Sequence, residues 1–272
     1  MVTRRRGYHP VVYAIVVVLL LAGCCVCYAQ EAKAWEQAGT QVGQEIIGPD
    51  GGTMVWVPPG EFVMGSEDGY DDEKPAHQVR ISRGFWLGKY TVTNAQYQRY
   101  CREVGVGFLE DSSWGDNHPV FNVNWTEAKA YCEHYGLSLP TEAQWEYAAR
   151  GPAGLEYPWG DEWDARKCCN LAHRGPQGST WPVGSFPAGA SWCGALDMAG
   201  NVFQWCRDWY AADDYYAHSP NTDPPGPDTG TARLLRGGSW HCNADYCRSA
   251  SRVILDPSDR DFYVGIRGSR TP

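Results

Sequence analysis

The pattern of apolar and polar positions changes character several times along the 272 residues. An unbroken apolar run from Val11 to Gly23 follows Arg4, Arg5 and Arg6, the layout of a secretory signal with a basic n-region and an apolar h-region. That run is shorter than the roughly 20 apolar residues a spanning helix needs. Two exits follow it. Leu21-Ala22-Gly23-Cys24 has the form of a lipoprotein signal with Cys24 as the lipidated residue, and Cys27-Tyr28-Ala29 before Gln30 suits an ordinary signal peptidase. Residues 1–29 therefore read as a targeting segment for export to the periplasm or cell envelope. Membrane contact is expected only through a lipid on Cys24. Residues 30–48 read as a linker, most polar over 30–44, and residues 49–270 as one domain, with folded character starting near Glu45.

Within that domain the periodicity predicts strands first. Thr53–Val57 and Glu61–Met64 flank Pro58-Pro59-Gly60 and suggest a hairpin; strands over Gln78–Ser82 and Phe85–Tyr90 follow. Three helices are marked by their caps. Thr93 opens one that stops at Gly105. Asn124 with Glu127 opens a second that ends at Gly136, and Thr141 with Gln144 a third that ends at Arg150-Gly151. On the second helix, Ala128, Tyr131, Cys132 and Tyr135 share one face, which predicts core packing. Beyond Gly151 short strands are expected around Gly200–Trp209 and Leu234–Trp240. The pattern is that of an α+β fold with much irregular backbone.

Composition adds a core rich in large aromatics: 13 Trp and 16 Tyr stand against 7 Phe. Without the targeting segment, 20 Lys and Arg face 32 Asp and Glu, an acid excess that argues against nucleic acid as a partner. Eight of the 11 cysteines remain: Cys101, Cys132, Cys168, Cys169, Cys193, Cys206, Cys242 and Cys247. An even number in an exported chain suggests disulfides, yet the spacing fixes no connectivity. No Cys-x-x-Cys pair remains for a zinc ribbon. His241 beside Cys242 is a candidate to lower that thiol's pKa. The acidic run Glu67, Asp68, Asp71, Asp72, Glu73 reads as a solvated loop rather than a cation site. Asp208-Trp209-Tyr210 and Asp213-Asp214-Tyr215-Tyr216 suggest either a ligand groove or core packing.

Several segments in order carry a family resemblance: Val57-Pro58-Pro59-Gly60-Glu61-Phe62-Val63-Met64-Gly65-Ser66, His118-Pro119-Val120 with Trp125, and Leu139-Pro140-Thr141-Glu142-Ala143-Gln144-Trp145-Glu146-Tyr147-Ala148-Ala149-Arg150-Gly151. Tyr157-Pro158-Trp159-Gly160, Asp197-Met198-Ala199-Gly200-Asn201-Val202, Arg236-Gly237-Gly238-Ser239-Trp240 and Gly265-Ile266-Arg267 continue the series. Together they resemble the sulfatase-modifying factor family, the formylglycine-generating enzymes and their relatives. The resemblance implies a C-type-lectin-like α+β fold.

It also implies chemistry. Cysteines five apart after the Gly-Gly-Ser, here Cys242 and Cys247, would hold Cu(I), which suits soft thiolates. Ser239 would line the substrate site, where O2 oxidises a cysteine of an unfolded sulfatase peptide to formylglycine. Calcium would be held by Asp197, Gly200, Val202 and Gln204, and a second calcium site would involve Asn170 and Leu171. Departures from the family pattern weaken parts of this. Asn243 stands where the enzymes have His, about three residues are missing after Cys247, Gln204 replaces an acid, and Arg174 replaces another. The form Cys-Arg-Ser-Ala-x-Arg resembles a non-catalytic branch, which implies instead a structural Cys132–Cys247 disulfide, with Cys242 free to pair with Cys206 or Cys193. Two readings thus stand: an exported copper-dependent oxidase, and a non-catalytic lectin-like binding or scaffold module of the cell envelope.

Overall fold

The structure, a computed structural model, describes residues 34–107, 115–211 and 215–272. The targeting segment with Cys24 lies outside the described residues, as do Asp213 and Asp214. No helix among the described residues is long and apolar enough to cross a membrane.

Helices α1 (Asn94–Val104), α2 (Trp125–His134) and α3 (Glu142–Arg150) begin at three reciprocal capping boxes. Thr93 Oγ1 accepts from Gln96 N at 3.3 Å and Asn124 Oδ1 from Glu127 N at 2.9 Å. Thr141 Oγ1 accepts from Gln144 N at 3.0 Å, and Gln144 Oε1 accepts in return from Thr141 N at 3.0 Å. Each box satisfies amides that a helix start leaves without partners, a gain of about 1 kcal/mol. Gly105 closes α1 in the left-handed conformation at φ 73°. A fourth, one-turn helix α4 spans Tyr215–His218.

Among the described residues, ten strands follow the order β1 (Glu45–Ile47), β2 (Thr53–Val57), β3 (Gly60–Met64), β4 (His77–Ile81), β5 (Phe85–Gly88), β6 (Phe203–Trp209), β7 (Arg233–Arg236), β8 (Val253–Leu255), β9 (Val264–Gly265) and β10 (Ser269–Arg270). They form a sheet ordered β1-β2-β5-β10, a two-stranded β3-β4 ribbon, and a sheet ordered β8-β7-β6-β9. The expected hairpin across Pro58-Pro59 is not made. β2 pairs with β1 and β5, whereas β3 pairs with β4. Prolines donate no ladder hydrogen bond, so the chain crosses there from one sheet to another. Strand β1 lies within the stretch assigned to the linker, yet Glu45–Ile47 pair with Val55–Thr53. The strand expected to run on to Trp240 stops at Arg236, where Gly237 and Gly238 turn the chain at φ 94° and 73°.

Aromatics fill the space between elements. Tyr97, Tyr100 and Tyr131 pack ring to ring between α1 and α2, with centroids 5.4–5.7 Å apart. Trp205 on β6 is fully buried against the same cluster and donates to Val123 O at 2.9 Å. A second core joins β2 to β5 with α3. An ion network ties this core to the loop after β7. Fully buried Glu146 accepts from Gly65 N at 2.7 Å, from Arg150 Nη1 at 2.9 Å and from Arg236 Nη2. Glu142 accepts from Arg252 Nε at 2.5 Å. Burial pushes the Glu146 carboxyl upward, and the three guanidinium groups of Arg236, Arg150 and Arg252 outweigh it and hold it below the usual carboxylate range. Arg236 and Arg252 bracket residues 237–251, so the network fixes both ends of the segment that carries the candidate site.

Candidate functional site

The turn Gly237-Gly238 presents Ser239 and Cys242 to a cleft of about 450 Å³. Phe203, Tyr246 and Tyr263 supply apolar walls, with His241 and Asn243 at the same opening. The loop is held by backbone hydrogen bonds from two sides. Gly200 N donates to Gly237 O at 2.7 Å, Trp240 N to Asn201 O at 2.9 Å, and Leu171 N to Cys242 O at 2.8 Å. Asn201 adopts φ 65° and grips Trp181 through both ends of its amide, each at 3.1 Å. These contacts explain why the segments around Asn170, Asn201 and Ser239, distant in sequence, form one wall.

Ser239 is fully buried, and its Oγ lies 3.3 Å from Cys242 Sγ while accepting from His241 N at 3.3 Å. Cys242 is half-buried. Burial raises its thiol above the ordinary value and hydrogen bonds from Ser239 pull the other way, with burial prevailing. The expectation that His241 lowers this pKa is therefore corrected. The imidazole stacks on Tyr263, with centroids 6.5 Å apart and planes 14° off parallel.

Cys247 ends the short turn Asp245–Cys247 and is fully buried. It packs in one cluster with Cys168 and Ala199, with Cys242 against that cluster. A hydrogen bond with Cys168 and burial push its thiol well up. Cys132 belongs to the α1–α2 core with Tyr131 and Val264, so the implied Cys132–Cys247 bond is not made. Cys193 and Cys206 sit in the other large core, packed with Trp145 and Leu234 rather than with Cys242. All eight cysteines of the described residues are free thiols.

The residues assigned to calcium are drawn together, but they do not fit the ion. Gln204 Oε1 accepts from Trp145 Nε1 at 2.8 Å and from Arg267 Nε at 2.7 Å, and its Nε2 donates to Asp197 O at 2.7 Å. Arg267 Nη2 donates to Leu196 O and Asp197 O at 2.7 and 3.0 Å. A buried guanidinium thus takes up oxygens of two of the four assigned residues, Asp197 and Gln204. Asp197 Oδ2 accepts from Gly184 N at 2.7 Å, and burial raises its pKa despite that bond. Among the described residues, no group of three or more His, Cys, Asp or Glu side chains is arranged to hold a metal ion. The second assigned set is closed too. Asn170 Nδ2 donates to Ala165 O and Cys168 O, its Oδ1 accepts from Ala172 N, and Arg174 lies over Trp240 at 5.4 Å.

One other reading changes, and one open alternative is decided. Glu73 of the acidic run is fully buried and takes both ends of the Arg248 guanidinium, with 2.7 Å to Nη1. Trp209 takes the packing alternative: with Trp125 it sandwiches Arg233, the guanidinium lying 3.4 Å from the Trp209 ring centre and 3.7 Å from that of Trp125.

A family model described as sulfatase-modifying factor enzyme 1-like domain matches residues 44–272. The chain belongs to that family. A formylglycine-generating enzyme from Streptomyces coelicolor is 36% identical over 280 residues, covering 79% of this chain and 88% of that protein. The serine/threonine-protein kinase Pkn1 of Chlamydia trachomatis is 36% identical over 239 residues, where the match spans 37% of the kinase. Among solved structures, PvdO from Pseudomonas aeruginosa superposes with a TM-score of 0.74 at 26% identity, over 86% of this chain and all of that one. The α+β, C-type-lectin-like fold expected from the resemblance is the observed one.

Of the residues the resemblance assigns to chemistry, Ser239 and Cys242 line the cleft and Cys247 packs behind it, while the cleft's aromatic walls were not expected from the sequence. Tyr263, two residues before the Gly265-Ile266-Arg267 motif, was within reach of that motif. Nor was Cys168 expected as the neighbour of Cys247, because they lie 79 positions apart with no spacing rule to join them.

Proposed function

We propose that the cleft is the active site of an exported, formylglycine-generating oxidase acting on a cysteine in an extended peptide. The observation that carries it is Cys242, held by buried Ser239 and facing an apolar cleft, with Cys247 packed behind it. The 36% identity to a formylglycine-generating enzyme over 88% of that protein's length supports the same reading. Two sulfurs fit Cu(I), a soft ion that takes thiolates where hard cations take oxygens. Copper held by Cys242 and Cys247 would supply the redox chemistry with O2.

The chain's own groups do the rest. Phe203, Tyr246 and Tyr263 bury the apolar parts of a peptide and exclude water from its thiol. Ser239 fixes the Cys242 rotamer and accepts or donates at Sγ as that sulfur loses its proton. Because burial at Cys242, and a hydrogen bond with Cys168 together with burial at Cys247, push both thiols above the ordinary range, metal uptake releases protons and tightens as pH rises. An excess of acid on the domain favours a peptide with basic residues.

A specific observation favours a second reading. Cys247 faces Cys168 rather than the cleft opening, as suits a lectin-like binding module with a structural thiol there. One assay separates the two. The reduced protein, Cu(I), O2, a dithiol reductant and a Cys-x-Pro-x-Arg peptide should give a peptide lighter by about 18 Da, the mass change of thiol-to-aldehyde oxidation. Binding of the peptide without a mass change would overturn the oxidase and support the binding module.

A further inference from the structure

Behind the cleft wall, three chain segments bring thiols together. Cys168 follows the turn Ala165–Lys167, Cys247 ends the turn Asp245–Cys247, and Cys242 lies between Ser239 and that turn. Cys168 and Cys247, 3% and 0% exposed, are buried side by side in one cluster walled by Trp159 and Trp163. Asn170 Nδ2 donates to Cys168 Sγ at 3.4 Å and Leu171 N to Cys242 O at 2.8 Å, so the two segments are tied on either side of the thiols. The backbone leaves them little room. A Cβ on Gly238 would come 2.8 Å from Cys247 Sγ, and one on Gly200 would come 3.4 Å from Cys168 Cβ. Adjacent Cys169 is turned away, its Sγ donating to Ser179 O at 3.5 Å.

We propose that Cys168 and Cys247 form a disulfide when the protein meets a dithiol–disulfide oxidant, and that this bond switches the cleft off by withdrawing Cys247 from Cys242. The pairing stands on the geometry; its regulatory effect rests on the proposed role of Cys242 and Cys247. Entry is through Cys242, the half-buried member that lines the cleft. Its thiolate attacks one sulfur of the external disulfide, displacing a thiolate and leaving a mixed disulfide. Cys247, deprotonated, attacks Cys242 Sγ and releases the oxidant's second thiolate. Cys168 in turn attacks Cys247 Sγ and releases Cys242, which takes up a proton. Two cysteine thiols give up two electrons and two protons in all, and one external disulfide becomes two thiols. The end state is a buried bond beside a free Cys242, still hydrogen-bonded to Ser239.

The test oxidises the full chain, folded and reduced, with excess oxidised dithiothreitol. Free thiols are then alkylated and the chain is digested without reductant for mass mapping. The expected result is a linked Cys168–Cys247 peptide pair with Cys242 alkylated. In the Cys168→Ser variant the same treatment links Cys242 to Cys247 instead, since the relay stops one step earlier. Overturning results are alkylation of Cys168 in the oxidised wild type, or a bond from Cys247 to any other cysteine as its end product. Competition with a Cu(I) chelator reads the consequence: binding by the reduced chain should fall at least tenfold on oxidation and recover with a dithiol reductant. Copper binding unchanged by the mapped bond would overturn the switch and keep the pairing. A reduced chain that never binds copper would overturn the proposed function and the switch, while the disulfide map still decides the pairing.

Discussion

Arg267 Nε donates to Gln204 Oε1 at 2.7 Å, placing a buried cation among the oxygens that the family resemblance assigns to calcium. Both lone pairs of the amide oxygen are used, because Trp145 Nε1 donates to it as well. The melting temperature is therefore predicted to stay within about 1 °C when calcium or a chelator is added, a change well under 1 kcal/mol for a chain of this size. A calcium-dependent rise of several degrees in a thermal melt would show that the guanidinium yields to the ion.

Glu146 joins α3, the end of β3 and the strand that leads to the Gly-Gly turn. Replacing it with Ala leaves Arg236 and Gly65 N buried without their acceptor, at a cost of about 3–5 kcal/mol. Glu146→Gln keeps an acceptor for Gly65 N and should lose less. Denaturant unfolding of the two variants measures the order. Since the Glu146 carboxyl is held below its ordinary value, its contribution is present above the unfolded pKa and is lost as pH falls through the folded one.

Asp208 has the opposite sign. Burial, with repulsion from Glu142, raises its pKa to about 8, although Asp208 Oδ2 accepts from Glu142 N at 2.9 Å. The native state then binds a proton that the unfolded chain releases near pH 4. Stability from this group is full below that pH and is lost as pH rises through about 8. Asp208→Asn keeps the acceptor without the charge. Its stability relative to wild type should grow by about 1–4 kcal/mol from pH 5 to pH 8. A difference that is flat across that range in parallel thermal melts would contradict the assignment.

Gly238 sits at φ 73°, with its missing Cβ facing Cys247 Sγ at 2.8 Å and Tyr246 O at 2.9 Å. Gly238→Ala should cost about 1–3 kcal/mol in backbone strain alone. It should also push the Cys247 turn away, so thiol alkylation at Cys247 should become faster in the folded state. A variant with wild-type melting and alkylation rates would mean that the turn has slack.

The helices were legible because their signals are local. Thr93, Asn124 and Thr141 each state a start in four residues, and Gly105 and Gly151 state an end. Strand partners were not, since β2 and β3 each satisfy an alternating pattern whichever neighbour they choose. Ser239 and Cys242, which share one cleft, could be singled out in the sequence because they follow a recognisable glycine pair. The neighbour of Cys247 was not, for it is set by where residues 168–171 cross behind Ser239, a matter of three-dimensional packing. Gln204 illustrates a further limit. An amide in place of an acid reads as a weakened ligand, while the structure uses it to join Trp145, Arg267 and Asp197.

Cys242 and Cys247 acting as one pair is the central claim, and Cu(I) titration of the reduced chain against a chromophoric chelator tests it most directly. The account predicts one copper per chain, lost at least a hundredfold in affinity in Cys242→Ser and equally in Cys247→Ser, and unchanged in Cys132→Ser. Copper retained by Cys247→Ser, or absent from the reduced wild type, would contradict it.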